Sequence, residues 1–171
     1  MEQPESLSDF LSARGPALSR TAYLLTGRHD QAQDLLQTAL AKVIPRWNRI
    51  VGGEPEAYVR RVMYHERISR WRARRYAEHP VPEVRDERGY GDEADNAERR
   101  VMVAQALARL TAKQRAVVVL RYFEDRSESE AAAVLGCSIG NVKSQTAKAL
   151  AKLREVAPEL LELRGNQGVR R

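Results

Sequence analysis

A single cysteine, Cys137, stands in this chain, so no intrachain disulfide can form and no zinc site can be built on several thiolates. A reducing, cytoplasmic setting is therefore expected. No run approaches the roughly 20 apolar residues of a membrane span. The opening MEQPESLSDF carries Glu2, Glu5 and Asp9 where a secretory leader carries basic residues. The sequence thus reads as soluble and unprocessed, with no membrane partner. Enzyme signatures are missing too: there is no Walker loop, GxGxxG or HExxH, and His29, His65 and His79 lack partners at metal-ligand spacing. No catalytic residue, metal or cofactor is expected, and the chain does not read as an enzyme. At 43% hydrophobic and 171 residues it can still build a core, as one domain or two very small ones.

What is present is an uneven distribution of charge. The net +6 divides into +5 over residues 1–76 (13 basic, 8 acidic), −4 over 77–100 (4 basic, 8 acidic) and +5 over 101–171 (12 basic, 7 acidic). A partner sees local potential rather than the total, so two basic blocks flanking an acidic one point toward nucleic acid. The acidic stretch also holds Pro80, Pro82, Gly89 and Gly91 and almost no large aliphatic residues, so it can neither continue a helix nor bury a face. Residues 77–96 read as a flexible linker between two small domains, 1–76 and 97–157, with a tail at 158–171.

Outside the linker the punctuation is helical, which makes the expected fold class all-α. Leu7, Phe10, Leu11, Leu18, Ala22, Tyr23 and Leu25 recur at helical spacing and Gly27 follows as a stop. Asp30 with Gln33 resembles a capping box opening a second helix, which Pro45 ends. PRWNRIVGGEP reads as a loop by its Pro and Gly content, and Glu54 and Pro55 start a third helix. Thr111 with Gln114 and Ser127 with Glu130 are two further capping boxes. Three consecutive valines, Val117 to Val119, favour strand, but the preceding cap and the lack of any partner strand predict helix.

Residues 127–153, SESEAAAVLGCSIGNVKSQTAKALAKL, have helix-turn-helix grammar. Ala132 is small where two helices would cross, Gly136 suits the turn, Val142 anchors the second helix, and Ser138 caps it. Ile139, Ala149, Leu150 and Leu153 complete its apolar side. The outward set Ser138, Asn141, Lys143, Ser144, Gln145 and Lys148 supplies amides and hydroxyls for base edges and ammonium groups for phosphates. No carboxylate interrupts Ser138 to Arg154, as a groove-facing helix requires; an ordinary Ala-rich hairpin is the bland alternative.

The second constellation is YVRRVMYHERISRWRARRY at 58–76, with one acid, Glu66, among seven arginines. Arg60, Arg61, Arg67, Arg70 and Arg74 offer phosphate forks, and Tyr64, His65 and Trp71 offer flat surfaces on which bases stack. A solvated helix face with Trp71 and Tyr58 in the core is the competing reading. Before it, Arg46, Trp47, Asn48 and Arg49 either clamp a splayed base or, in the case of Trp47, plug the core.

With these residues in hand, the chain resembles the extracytoplasmic-function (ECF) group of the sigma-70 superfamily of RNA polymerase initiation factors. QDLLQTALAKVIPRW at 33–47 looks like the polymerase-binding helix of the family's region 2, with Asp34, Gln37 and Thr38 at its polar positions. EAYVRRVMYHERISRWRARR at 56–75 looks like the helix that recognises and melts the −10 promoter element. Residues 110–155 look like region 4, whose helix-turn-helix reads the −35 element, and GNVKSQTAKALAKLR is similar to the actinobacterial SigE-type subset. The resemblance implies region 2 at 1–76 and region 4 at 97–157. The partners it implies are core RNA polymerase (the β′ clamp through region 2 and the β flap through region 4), promoter DNA, and the anti-sigma protein common in the family. Met63, Tyr64, His65 and Ser69 depart from the family's usual Ala-Arg-Asn and Asp, which implies a different −10 preference. A stand-alone helix-turn-helix regulator is the rival function; it would bind DNA without polymerase.

Overall fold

The computed structural model describes residues 6–76 and 94–160, and side chains at 6–73 and 98–160. Residues 77–93 of the expected linker, residues 161–171 of the tail and the side chain of Arg74 lie outside the described residues. Every described element is helical and none is a strand, in agreement with the all-α expectation. The helices fall into two units, which are taken separately.

The first unit comprises α1 (Leu7–Thr26), α2 (His29–Val43), a tight turn at Ile44–Arg46, α3 (Trp47–Ile50) and α4 (Pro55–Tyr76). Helix α1 packs on α2 and α4, and α2 packs on α4. Their buried faces meet through Phe10, Leu18, Ala22 and Leu25 of α1, Leu35, Ala39 and Val43 of α2, and Val59, Met63 and Tyr64 of α4. Each Phe, Leu, Val or Met side chain among them, withdrawn from water, contributes about 1.5–3 kcal/mol. Ser6 caps α1 by accepting from the Asp9 backbone N–H at 3.1 Å. Gly27 ends it at φ 77°, a left-handed conformation that only glycine adopts without strain, and its N–H closes on the Tyr23 carbonyl at 2.7 Å.

Two local expectations give way in this unit. Helix α2 starts at His29 with Arg28 as its cap residue, so Asp30 with Gln33 is no capping box. The Asp30 carboxylate is taken by Arg28, whose Nε and Nη2 donate to it at 3.0 and 2.9 Å; that bond holds the Asp30 carboxyl below its usual range. The segment PRWNRIVGGEP is mostly helical, because Trp47 and Ile50, three residues apart, both turn into the core. Pro45 sits in the first turn of the short helix, where no backbone donor is needed.

The second unit comprises α5 (Ala94–Ala108), α6 (Ala112–Val118), a widened π turn at Val119–Phe123, α7 (Glu128–Leu135) and α8 (Ile139–Val156). Helices α6, α7 and α5 all pack on α8. Ala116 to Leu120 are buried as helix rather than strand, so the Thr111 cap outweighs the valine propensity. Both capping boxes at Thr111 and Ser127 form, with reciprocal bonds to Gln114 and Glu130.

The Ser127 box makes a specific forecast. Ser127→Ala is expected to destabilise the second unit by about 1 kcal/mol, the usual cost of losing a cap oxygen. Both tryptophans, Trp47 and Trp71, lie in the first unit. A urea transition followed by far-ultraviolet circular dichroism should therefore shift while the tryptophan-fluorescence transition stays in place. The Ser127 backbone N–H holds the Glu130 carboxyl below its usual value. Its contribution is accordingly present above the ordinary glutamate pKa and is lost as pH falls through the lowered folded value. Ser127→Ala keeps that backbone N–H, so most of this pH dependence should persist in the mutant.

Candidate functional site

In the second unit the helix-turn-helix is built as its residues require. Gly136 takes φ 64° after Leu135, and the Cys137 N–H bonds the Ala132 carbonyl at 3.1 Å. Ser138 then caps α8 by accepting from the Asn141 N–H at 3.1 Å, so Ser138 serves the helix terminus with the same oxygen expected to face DNA. Val142, Ala149 and Leu153 are buried, but Ile139 is 45% exposed in the first turn rather than part of the core. The Thr146 hydroxyl donates to the Val142 carbonyl at 2.8 Å, which accounts for a polar residue on the inner flank.

Asn141, Ser144, Gln145 and Lys148 recur at three- and four-residue spacing and so share one stripe of α8. Ser144 and Lys148 are exposed, Asn141 and Gln145 half-buried. None of these four side chains has a hydrogen-bond or ion partner among the described residues. Lys143 stands to the side of the stripe, its Nζ 3.7 Å from Glu128 at the start of α7.

In the first unit α4 divides its charged residues by face. Arg61, His65, Ser69 and Arg72 are exposed at helical spacing, with no carboxylate among them. Glu66, the one acid of α4 beyond its first turn, is paired with Lys42 of α2, a neutralisation that sequence reasoning missed because the cation lies 24 residues away. Arg61 and Arg72 have no partner among the described residues.

Three other arginines of α4, Arg60, Arg67 and Arg70, are engaged internally. Arg60 donates to Glu56 at 2.6 Å, and Glu56 also receives Arg14 at 3.4 Å. Arg67 Nε donates to the Leu25 carbonyl at 2.9 Å, tying α4 to the end of α1. Arg70 reaches α2, where Nη1 donates to Asp34 Oδ2 at 2.5 Å and Nη2 to Thr38 Oγ1 at 2.7 Å. Two of the three residues expected to meet polymerase are thus held by an arginine expected to meet DNA. Gln37, the third, is exposed.

The aromatic expectations need correction. Tyr64 has 0% exposure and is core, not a stacking surface. Trp47, 8% exposed, plugs the core with its ring centroid 5.1 Å from that of Phe10 at a tilt of 53°. Both aromatics face inward because their helices must cover α1, so neither presents a ring to solvent. Trp71 is half-buried. Arg46, Asn48 and Arg49 remain exposed around the buried tryptophan, and Arg46 Nη1 donates to the Tyr58 hydroxyl at 3.3 Å. No group of three His, Cys, Asp or Glu side chains that could hold a metal occurs among the described residues, and no described helix is long and apolar enough to cross a membrane.

Comparison with known proteins assigns both units. Residues 10–76 match the family described as Sigma-70 region 2, and residues 100–153 the family described as Sigma-70, region 4. The chain is 43% identical over 158 residues to the RNA polymerase sigma-E factor of Streptomyces antibioticus, covering 91% of this chain and 87% of that one. It is 30% identical over 141 residues to the ECF RNA polymerase sigma factor SigM of Mycobacterium tuberculosis, covering 80% and 69%. Among solved structures it is similar to the sigma factor RpoE of Bartonella quintana in complex with the anti-sigma factor NepR, with a TM-score of 0.66 and 27% identity over 86% of this chain and 94% of that one. The helical unit around α4, the helix-turn-helix of α7 and α8, and these matches together place the chain in the sigma-70 family of RNA polymerase sigma factors, within its ECF group and near the actinobacterial sigma-E-like members.

Proposed function

We propose that the protein recruits core RNA polymerase through α2 and selects promoters with α4 and α8. The observation that carries this reading is the pair of carboxylate-free outer faces, Arg61–His65–Arg72 on α4 and Asn141–Ser144–Gln145–Lys148 on α8. On the first, the guanidinium groups of Arg61 and Arg72, which have no ion partner among the described residues, favour phosphates of an opened −10 strand, joined by Arg46, Asn48 and Arg49 beside the buried Trp47. On the second, amides and a hydroxyl suit base edges in the major groove of the −35 duplex. Asp34, Gln37 and Thr38 on the outer side of α2 would meet the β′ clamp, and residues 97–157 the β flap. The boundaries 1–76, 77–96, 97–157 and 158–171 belong to the same proposal, with the acidic 77–96 threading a channel of the polymerase built for nucleic acid. By likeness to the Bartonella protein, solved with its anti-sigma factor, an anti-sigma protein is a further proposed partner. The setting is the cytoplasm, where polymerase works.

Gel shifts with and without core separate this function from its rival. Promoter fragments selected from a genomic library should be retained weakly by the protein alone and tightly once core is added. Tight, dimeric binding to an inverted repeat without core would identify a stand-alone regulator instead.

A further inference from the structure

The geometry points to Arg70 as a coupling residue: in the free protein its guanidinium is latched onto α2, and docking of polymerase on α2 releases it toward DNA. The inference rests on the reading of α2 as the polymerase-binding face and deepens it.

Asp34 and Thr38 stand one helical turn apart on α2, and the fork of Arg70 spans both, at 2.5 and 2.7 Å. A partner lying along this face meets a guanidinium placed over the acceptors it would use. Its own donors replace those of Arg70, or it does not dock. While latched, Arg70 is neutralised by the Asp34 carboxylate and adds little to the potential that a phosphate strand sees. Once released it contributes a full positive charge beside the Arg61–Arg72 row. The pair is partly exposed, 35% for the arginine and 65% for the aspartate side chain, so the latch is shallow enough for docking to open it. Lys42 with Glu66 joins the same two helices through charges of the opposite order and keeps α2 and α4 in register when Arg70 leaves.

Competition of this kind has reciprocal signatures. With the full-length protein and a fluorescein-labelled 20-nucleotide single strand of random sequence, Asp34→Asn should tighten DNA binding by about two- to fivefold, the range typical of an exposed ion pair. Thr38→Val should act in the same direction more weakly. In an Arg70→Gln background the Asp34→Asn gain should vanish, and Asp30→Asn, which touches Arg28 instead, measures the through-space effect of losing an acid on α2. In the other arm, Arg70→Gln should tighten binding to core polymerase by a similar factor, because the competitor for Asp34 and Thr38 is gone. An unchanged or weakened core affinity for Arg70→Gln, or an Asp34→Asn gain that persists without Arg70, overturns the latch. Should Asp34→Asn and Gln37→Ala both leave core affinity untouched, the reading of α2 fails instead, and the single-strand arm alone decides whether the latch exists.

Discussion

Replacing Trp47 by alanine should destabilise the unit formed by residues 6–76 by about 3–5 kcal/mol, the cost of deleting a large buried aromatic side chain and leaving a cavity. Two further effects act in opposite directions. Loss of the tilted Phe10–Trp47 pair removes roughly 0.5–1.5 kcal/mol beyond area burial. Against that, the indole Nε1 is buried without an acceptor among the described residues, and removing an unsatisfied donor returns about 1–3 kcal/mol. Because the second effect recovers part of what the cavity costs, Trp47→Phe, which keeps the ring contact and discards the orphan N–H, should cost no more than about 1.5 kcal/mol. Chemical unfolding followed by the fluorescence of Trp71, the remaining tryptophan in Trp47→Phe and Trp47→Ala alike, measures both. Asn48→Ala and Arg49→Ala, at exposed neighbouring positions, should stay within about 0.5 kcal/mol of the parent. A small penalty for Trp47→Ala would contradict the assignment of this residue to the core and revive a base-clamping role.

The second large effect is expected on α8. Gln145→Ala should weaken binding to the −35 duplex in the presence of core by about 1–3 kcal/mol and relax preference at one base pair, as for loss of one good base contact. Lys148→Ala should weaken binding evenly across sequences and reduce the slope of log affinity against log salt by about 0.9, the signature of one phosphate contact. The two side chains sit on one stripe, three residues apart, and neither has a partner to lose among the described residues. Stability should therefore be unchanged, which separates a DNA role from a packing role. A systematic duplex library titrated at several salt concentrations yields both quantities. If Gln145→Ala lowers affinity uniformly with no change in base preference, its role is positional and base reading lies with Asn141 or Ser144.

How far this could be foreseen depended on the range of the interaction that decided each feature. Caps at Thr111 and Ser127 were legible because donor and acceptor lie three residues apart in the chain. Asp30 had the same spacing to Gln33 but was claimed by Arg28 next to it, and a pattern of letters does not rank two short-range partners. The Gly27 and Gly136 stops were legible from the chemistry of left-handed backbone. The helical course of residues 44–50 was not, since Pro45, Gly52 and Gly53 signal a loop while the burial of Trp47 and Ile50 comes from helices distant in sequence. On α4 the excess of arginine was plain, but its division was hidden. Arg60, Arg67 and Arg70 find Glu56, the Leu25 carbonyl and Asp34, leaving Arg61 and Arg72 on the outer face. Tyr64 shows the same limit, because an aromatic among arginines reads as a stacking surface until the helix is rotated onto its core.

The most direct measurement of the central claim is reconstituted transcription. Purified protein is added to sigma-free core polymerase with a fragmented genomic library as template, and the 5′ ends of the transcripts are mapped. The account predicts initiation that depends on the added protein, at sites sharing one −35 and one −10 element. Arg61→Glu with Arg72→Glu should abolish initiation at those sites while core binding persists. Absence of any protein-dependent start site, together with no binding to core, would contradict it.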